Sequence, residues 1–227
     1  FASIVSAVEE GRAVYNNIKK ITKYVFASNV PEAVPFILYV LARIPLPLTV
    51  MQILSVDLGT DMVPAIALGA EPPEEDVMRF PPRRRGQGIL SIGLLAHSLL
   101  FLGGIEALAA MTSYYWINSI NGYGPSSLAQ PGTAVYAMAT TMTLVGIVMS
   151  QVGNVFACRT ERSSTLKRNI TINPLLPMGL VFEISIILVL VYVPFLHPIF
   201  GTAPLLPQHW LFPLIFAPII LLADEVR

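Results

Sequence analysis

Two short polar runs hold the residues whose types and spacing suit chemistry: Ser28-Asn29-Val30-Pro31-Glu32 and Val56-Asp57-Leu58-Gly59-Thr60-Asp61. Each interrupts a segment otherwise apolar enough to enter a bilayer. A carboxylate there costs at least about 2.5 kcal/mol and is retained only where something binds it. Asn29 and Glu32 stand three residues apart, so a helix puts both on one face. Pro31 has no N–H to offer the carbonyl of Ala27, which leaves that oxygen available. Asp57 and Asp61 are four apart, again on one face, with Thr60 adjacent and Gly59 placed to unwind the backbone. Carboxylates, an amide oxygen, a hydroxyl and freed carbonyls form an all-oxygen ligand set. That set suits hard cations such as Ca²⁺, Na⁺ or K⁺, whereas zinc or copper would call for the His and Cys these runs lack. A membrane acid can instead be half of a structural ion pair, but no Lys or Arg lies inside any span to pair with Glu32, Asp57 or Asp61.

The elements that must position these runs follow from composition and hydropathy. The 227 residues are 54% hydrophobic and 12% charged, too few charges to coat a soluble globule, so the chain reads as an all-α membrane protein. Basic and acidic residues balance at 14 each, and no net field argues for nucleic acid. The lone Cys158 excludes an intrachain disulfide framework. No signal peptide is visible and position 1 is Phe, so the chain is expected to begin inside something larger. Residues 5–23 are amphipathic at helical spacing, a cytoplasmic helical stalk that runs into the first span at 24–40. Pro45 and Pro47 end that span in a short turn. A second span follows at 50–70, with Pro64 as a kink candidate, then a polar loop. Further spans fall at 89–117, 134–157, 172–196 and 210–223, the last with an alternative start near Leu205. The expectation is a six-transmembrane-helix bundle whose first and second spans are discontinuous.

Basic residues give the orientation. Arg12, Lys19, Lys20, Lys23, Arg79, Arg83, Arg84, Arg85, Arg159, Arg162, Lys167, Arg168 and Arg227 fall on one side, and Arg43 alone on the other. By the positive-inside rule both termini are cytoplasmic and the chain is a multi-pass integral protein whose partner is the lipid bilayer.

Other polar residues carry weaker signals. Glu106 and Glu183 each stand alone in a span, with ligand and packing roles both open. Gln151 and Asn154 suit hydrogen bonding between helices. His97 has no second His at ligand spacing, and the 83–85 arginines read as a topology determinant that could also meet anionic headgroups. Asn169-Ile170-Thr171 matches a glycosylation acceptor but falls on the cytoplasmic side. A self-contained channel or secondary transporter is the main alternative to part of a larger pump, but such transporters repeat their broken helices in two halves, and here the breaks cluster in the first two spans. A purely structural membrane module would leave the acids at 32, 57 and 61 without a reason.

At these residues the chain resembles the C-terminal membrane half of the type II P-type cation-transporting ATPases, the group of calcium, sodium/potassium and proton/potassium pumps. The match runs through Ile4-Val5-Ser6-Ala7-Val8-Glu9-Glu10-Gly11-Arg12-Ala13-Val14-Tyr15-Asn16-Asn17, Ser28 to Glu32, Asp57 to Pro64 and Glu71-Pro72-Pro73, and returns at Asp224-Glu225-Val226-Arg227. The resemblance implies that residues 1–23 end a phosphorylation domain and its stalk, 24–70 carry the cation site, 71–88 form a cytoplasmic loop, and 89–227 form a four-span supporting bundle with a C-terminal tail. The six spans would be the fifth to tenth of a ten-span pump in the plasma or cell membrane. Its ligands fall on Asn29, Glu32, Asp57, Thr60 and Asp61. Asp57 and the run from Gly59 to Pro64 are closest to the sodium/potassium branch, since calcium pumps typically have Asn at the first of these positions. Ser28 stands where proton/potassium pumps carry lysine, which disfavours that branch. Tyr24, Gln151 and Asn154 fall near positions of an extra sodium site, and Ser28 and Glu183 stand beside them as weaker ligand candidates. Asn154 in place of the branch's Asp, and Ile184 where a second Glu is usual, argue against a third sodium ion. No phosphorylation motif or nucleotide-binding domain is in this sequence, so ATP, Mg²⁺ and enzyme activity are expected only in the missing N-terminal membrane and cytoplasmic domains of the pump.

Overall fold

The computed structural model describes residues 2–74, 77–79, 81, 88–160, 164–165 and 169–226. The arginine run at 83–85 and the loop residues Arg162, Lys167 and Arg168 lie outside the described residues, as does Arg227. Among the described residues the fold is all-helical, with six segments long and apolar enough to cross a membrane: Ser3–Leu41, Val50–Gly69, Ile92–Ile120, Ala134–Cys158, Leu175–Tyr192 and Pro207–Val226.

The expected breaks are present, but the chain bends or widens there instead of unwinding. The stalk and first span form one 39-residue helical run, interrupted at Asn29, whose own dihedrals remain helical (φ −73°, ψ −19°). Pro31 and Pro35, both buried, supply the physical reason, since each removes one i→i−4 hydrogen bond. The second span passes through a π-helical stretch, Val56–Thr60, closed by the Asp61 N–H donating to Val56 O over 3.0 Å. The extra residue in that turn re-aims the side chains after it. The third span carries a second π-helical stretch, Ala96–Leu102, so the irregular backbone is not confined to the first two spans. The fifth span starts at Leu175, where the Asn173 side chain accepts the Leu175 N–H, and its helix ends before Pro194. The sixth is interrupted at Ile215, between Pro213 and Pro218.

The fourth span is the axle of the bundle, 72% buried. Its glycines let neighbours close in. A Cβ on Gly146 would lie 2.6 Å from Ser113 Oγ and 3.1 Å from Ala109 O on the third span, and one on Gly153 would collide with the backbone of Ala217 on the sixth.

Hydrogen bonds and ion pairs fix the alternation of spans. At the stalk end, Arg12 donates to Val77 O, Asn17 Nδ2 donates to Glu71 O at 2.6 Å, Lys20 pairs with Glu74 at 2.9 Å, and Arg159 Nε pairs with Glu71 at 2.7 Å. Asp224, near the C-terminus, binds His97 at 2.8 Å and Lys23 at 3.4 Å. At the opposite end the Arg43 turn, at φ 52°, is held by Tyr114 Oη donating to Pro45 O and Tyr136 Oη to Leu46 O. Thr49 caps the second span through a capping box with Gln52 and donates to Phe200 O. Both termini therefore lie at one end, and Arg43 at the other, as the basic residues require.

Candidate cation site

Two apolar clusters fill the bundle, one above the other, and the polar side chains mark the level between them. One cluster, at the end of the Arg43 turn, includes Val56, Ala110, Met149 and Ile187; the other, nearer the stalk, includes Ala27, Ala67, Leu102, Val155 and Leu176. Glu32 follows Ala27 on the first span, Thr60 and Asp61 separate Val56 from Ala67 on the second, and Glu106 separates Leu102 from Ala110 on the third. Gln151 and Asn154 lie between Met149 and Val155 on the fourth, and Glu183 lies between Leu176 and Ile187 on the fifth. Five spans thus place their acids and amides at one depth, which is a mid-membrane polar belt.

Tyr24 is wholly buried and its hydroxyl donates to Asp61 Oδ1 at 3.3 Å, tying the first span to the second. Ser28 Oγ, also buried, lies beside Tyr24 and Asp61 without hydrogen-bond geometry to either. Thr60 Oγ1 donates to Val56 O at 3.1 Å, which leaves its lone pairs as acceptors. Glu32 is 6% exposed, and its Oε1 has no hydrogen-bond partner. Asp57 and Asp61 lie near Glu32, Asp61 and Glu32 near Glu106, and Asp61 and Glu106 near Glu183. Glu183 reaches this group by register. Gly179 packs against Pro64 and Gly59 against Ile186, an antiparallel pairing that sets Glu183 level with Thr60 and Asp61.

None of Glu32, Asp57, Asp61, Glu106 and Glu183 pairs with a basic residue among those described; the basic groups near the membrane depth pair instead with Glu71, Glu74 and Asp224 at the stalk end. Carboxylates in a membrane interior are costly without a counter-ion, so this belt is a place where a positive charge is stabilised. Among the described residues, no three His, Cys, Asp or Glu side chains converge tightly enough to grip a metal ion by themselves. The belt is open where Asn29 and Asp57 lie exposed.

The open side is where two expected ligands lie. Asn29 is exposed, and its Nδ2 turns back to donate to Val25 O at 2.8 Å, so it is not brought to Glu32. Asp57 is exposed too, although it lies near Glu32. Of the weaker positions, Gln151 has both side-chain polar atoms buried and unpartnered, and Asn154 accepts from Cys158 Sγ at 3.3 Å while its Nδ2 is unpartnered. Glu106 belongs to the belt as fully as Glu183, both being 0% exposed. Its lone position in a span was a visible signal, but not one that located it against the first span.

Carboxylates at mid-membrane, a bent first span and a π-widened second span define the class as an all-helical, multi-span membrane domain with a polar site between its helices. The sequence profile described as "Cation transporting ATPase, C-terminus" matches residues 45–227, and the chain belongs to that family, as the C-terminal membrane part of a P-type cation-transporting ATPase. Among similar proteins, the sodium/potassium-transporting ATPase subunit alpha-3 of Gallus gallus is 34% identical over 252 aligned residues, covering 100% of this chain and 25% of the relative. The alpha-3 subunit of Homo sapiens matches at the same identity and coverage, and the alpha-1 subunit of Anguilla anguilla is 33% identical with the same coverage. The chain thus spans about a quarter of the length of these relatives.

Proposed function

We propose that this chain is the transport domain of an ATP-driven pump for alkali cations, in which the first two spans contribute Glu32, Asp57, Thr60 and Asp61 to an intramembrane site and Asn29 completes its open edge. The observation that carries this reading is the belt of buried carboxylates without basic partners beside a proline-bent helix. Na⁺ and K⁺ are the favoured cargo over Ca²⁺, in keeping with the sodium/potassium-transporting relatives and with Asp at position 57. Asn29 and Asp57 face away from this bundle, so a span from the missing N-terminal membrane domain would cover them and supply the remaining ligands. ATP and Mg²⁺ would bind only in the missing cytoplasmic domains.

The chain's own residues would couple the two. Residues 1–23 serve as the stalk, with Asn17, Lys20 and Lys23 bonded to the ends of other spans, and residues 24–70 carry the site. Tilting the stalk would move Ser28 and Glu32 about the bend at Asn29, changing their separation from Asp61 and so the affinity for the ion. Residues 71–88 would form a cytoplasmic loop and 89–227 the supporting bundle, with both termini cytoplasmic in a plasma or cell membrane.

The test uses the full-length pump. Glu32→Gln and Asp61→Asn should each raise the cation concentration for half-maximal phosphoenzyme formation by about tenfold or more, since each removes a charge-assisted ligand worth on the order of 1.5–3 kcal/mol. Unchanged ion-dependent phosphorylation in both variants would sink the assignment.

A further inference from the structure

We propose that His97 on the third span is a proton-operated latch for the stalk: protonated from the stalk side, it draws Asp224 of the sixth span away from Lys23 of the first. The inference goes beyond the transport reading above and rests on it only for the movement of the stalk.

Asp224 is shared between two bases. Its Oδ1 lies 2.8 Å from His97 Nε2 and its Oδ2 3.4 Å from Lys23 Nζ, which also donates to Ala157 O in the last turn of the fourth span at 3.0 Å. With a neutral imidazole, Asp224 and Lys23 balance charge for charge and His97 contributes a hydrogen bond. A proton on His97 sets two cations on one carboxylate. Like charges that close repel, and the longer contact, to Lys23, is the one that yields. Lys23 is left with a neutral partner, the Ala157 carbonyl.

Imidazole suits this role because its ordinary titration falls between about pH 5 and 8. The three side chains line a cavity of about 700 Å³ whose rim, at Ser91 and Gly93, is exposed, so protons reach His97 from the stalk side. The other charged or titratable groups on its walls are Lys19 and Lys20 of the stalk, Cys158 of the fourth span and Glu225 of the sixth. Each is engaged elsewhere. Lys20 pairs with Glu74 at 2.9 Å, Lys19 lies over the Tyr15 ring, Cys158 Sγ donates to Asn154 Oδ1, and Glu225 accepts the Thr165 N–H.

His97 stands in the π-helical stretch Ala96–Leu102, a turn type that recurs at functional sites. Gly103, directly after that stretch, meets the first span: a Cβ there would lie 2.9 Å from Ala27 O and 2.5 Å from Val30 Cγ2. The first and third spans run parallel, so they touch at the bend through Gly103 and, nearer the stalk, through Asp224. Opening the contact at Asp224 leaves the one at Gly103 as the pivot about which the stalk tilts.

Hydrogen exchange of the full-length pump in lipid nanodiscs tests the latch. The reading is the protection of amides in residues 15–23 from about pH 8 to about pH 6, each variant being compared with wild type at the same pH so that the intrinsic pH dependence of exchange cancels. His97→Gln keeps a hydrogen-bonding side chain that cannot gain a proton. Wild type and His97→Gln should agree at the alkaline end, and wild-type protection should fall below that of the variant by about two- to fivefold on acidification, the scale of a partly exposed ion pair. Lys23→Met should show the low protection at both ends. Equal protection of wild type and His97→Gln across the range would overturn the proposal. If His97→Gln fails to fold, a Lys23→Met pump that loses protection on acidification as steeply as wild type would overturn it equally. Sodium- and potassium-dependent ATP turnover of the same preparations keeps the two readings apart, since a wild-type pump that needs neither ion refutes the transport reading and leaves the exchange result standing.

Discussion

Tyr24 holds Asp61 through one hydroxyl, and that hydrogen bond joins the acid of the second span to the stalk-bearing first span. Tyr24→Phe keeps the ring in its buried place and deletes the donor. The expected loss is about 1.5–3 kcal/mol for a hydrogen bond to a charged group, read as a roughly 10- to 150-fold rise in half-saturating cation in a binding assay. A wild-type affinity would mean that the tyrosine only packs. At this scale the sequence was informative wherever cost was the signal: Glu32, Asp57 and Asp61 were legible because unpaired acids in apolar segments demand a reason. Asn29 was not placed by spacing. Three residues separate it from Glu32, but the helix turns it to the edge, where its amide bonds back to Val25 O. Spacing gives an angle around a helix and says nothing of what covers each face. Glu106 shows the converse, since its neighbours come from a span some 75 residues away and only packing at Gly103 reveals them.

The bend in the first span is a proline effect, so it can be removed by one substitution. Pro31→Ala would restore an N–H to the Ala27 carbonyl and straighten the helix. Two opposite outcomes are expected. Stability should rise by up to about 3 kcal/mol, the cost of proline in a helix interior, seen as a higher Tm of the purified pump. Cation affinity should fall, by about tenfold, because the carbonyl is then occupied and Ser28 and Glu32 change direction. A variant with unaltered Tm and unaltered binding would contradict the role given to the bend. The spans themselves were legible from hydropathy, and the prolines marked the first bend. The π-helical stretch over Ala96–Leu102 was not, because its residues contain neither proline nor glycine to mark it, and its packing against the first helix joins residues distant in sequence.

Across the whole molecule, the stalk end is cross-linked through Glu71. Its carboxylate accepts from Arg159 Nε and Asn173 Nδ2, each at 2.7 Å, while its backbone carbonyl accepts from Asn17 on the stalk. Arg159 and Glu71 are almost wholly buried, at 1% and 2% exposure. Removing one partner strands the other charge, so Arg159→Met should destabilise the protein by about 3–5 kcal/mol. The double variant Arg159→Met, Glu71→Leu should recover much of that loss, and thermal melts of the four proteins in one detergent form the cycle that checks it. Additive losses would show that the pair is not coupled. The alternation of ends was readable from the basic residues, whereas this network was not, since Glu71 and Arg159 are 88 positions apart and neither looks unusual in a polar loop. The fourth span carries a further consequence. It is made after the third span but before the sixth, and the backbone of Ala217 fills the groove at Gly153. Until the sixth span is in place, a helix bearing Thr140, Thr141, Thr143, Ser150, Gln151 and Asn154 waits in the bilayer with one flank unsheltered. Placement of the sixth span is then what locks the axle in place, and any delay there leaves a span rich in hydroxyls and amides open to quality control.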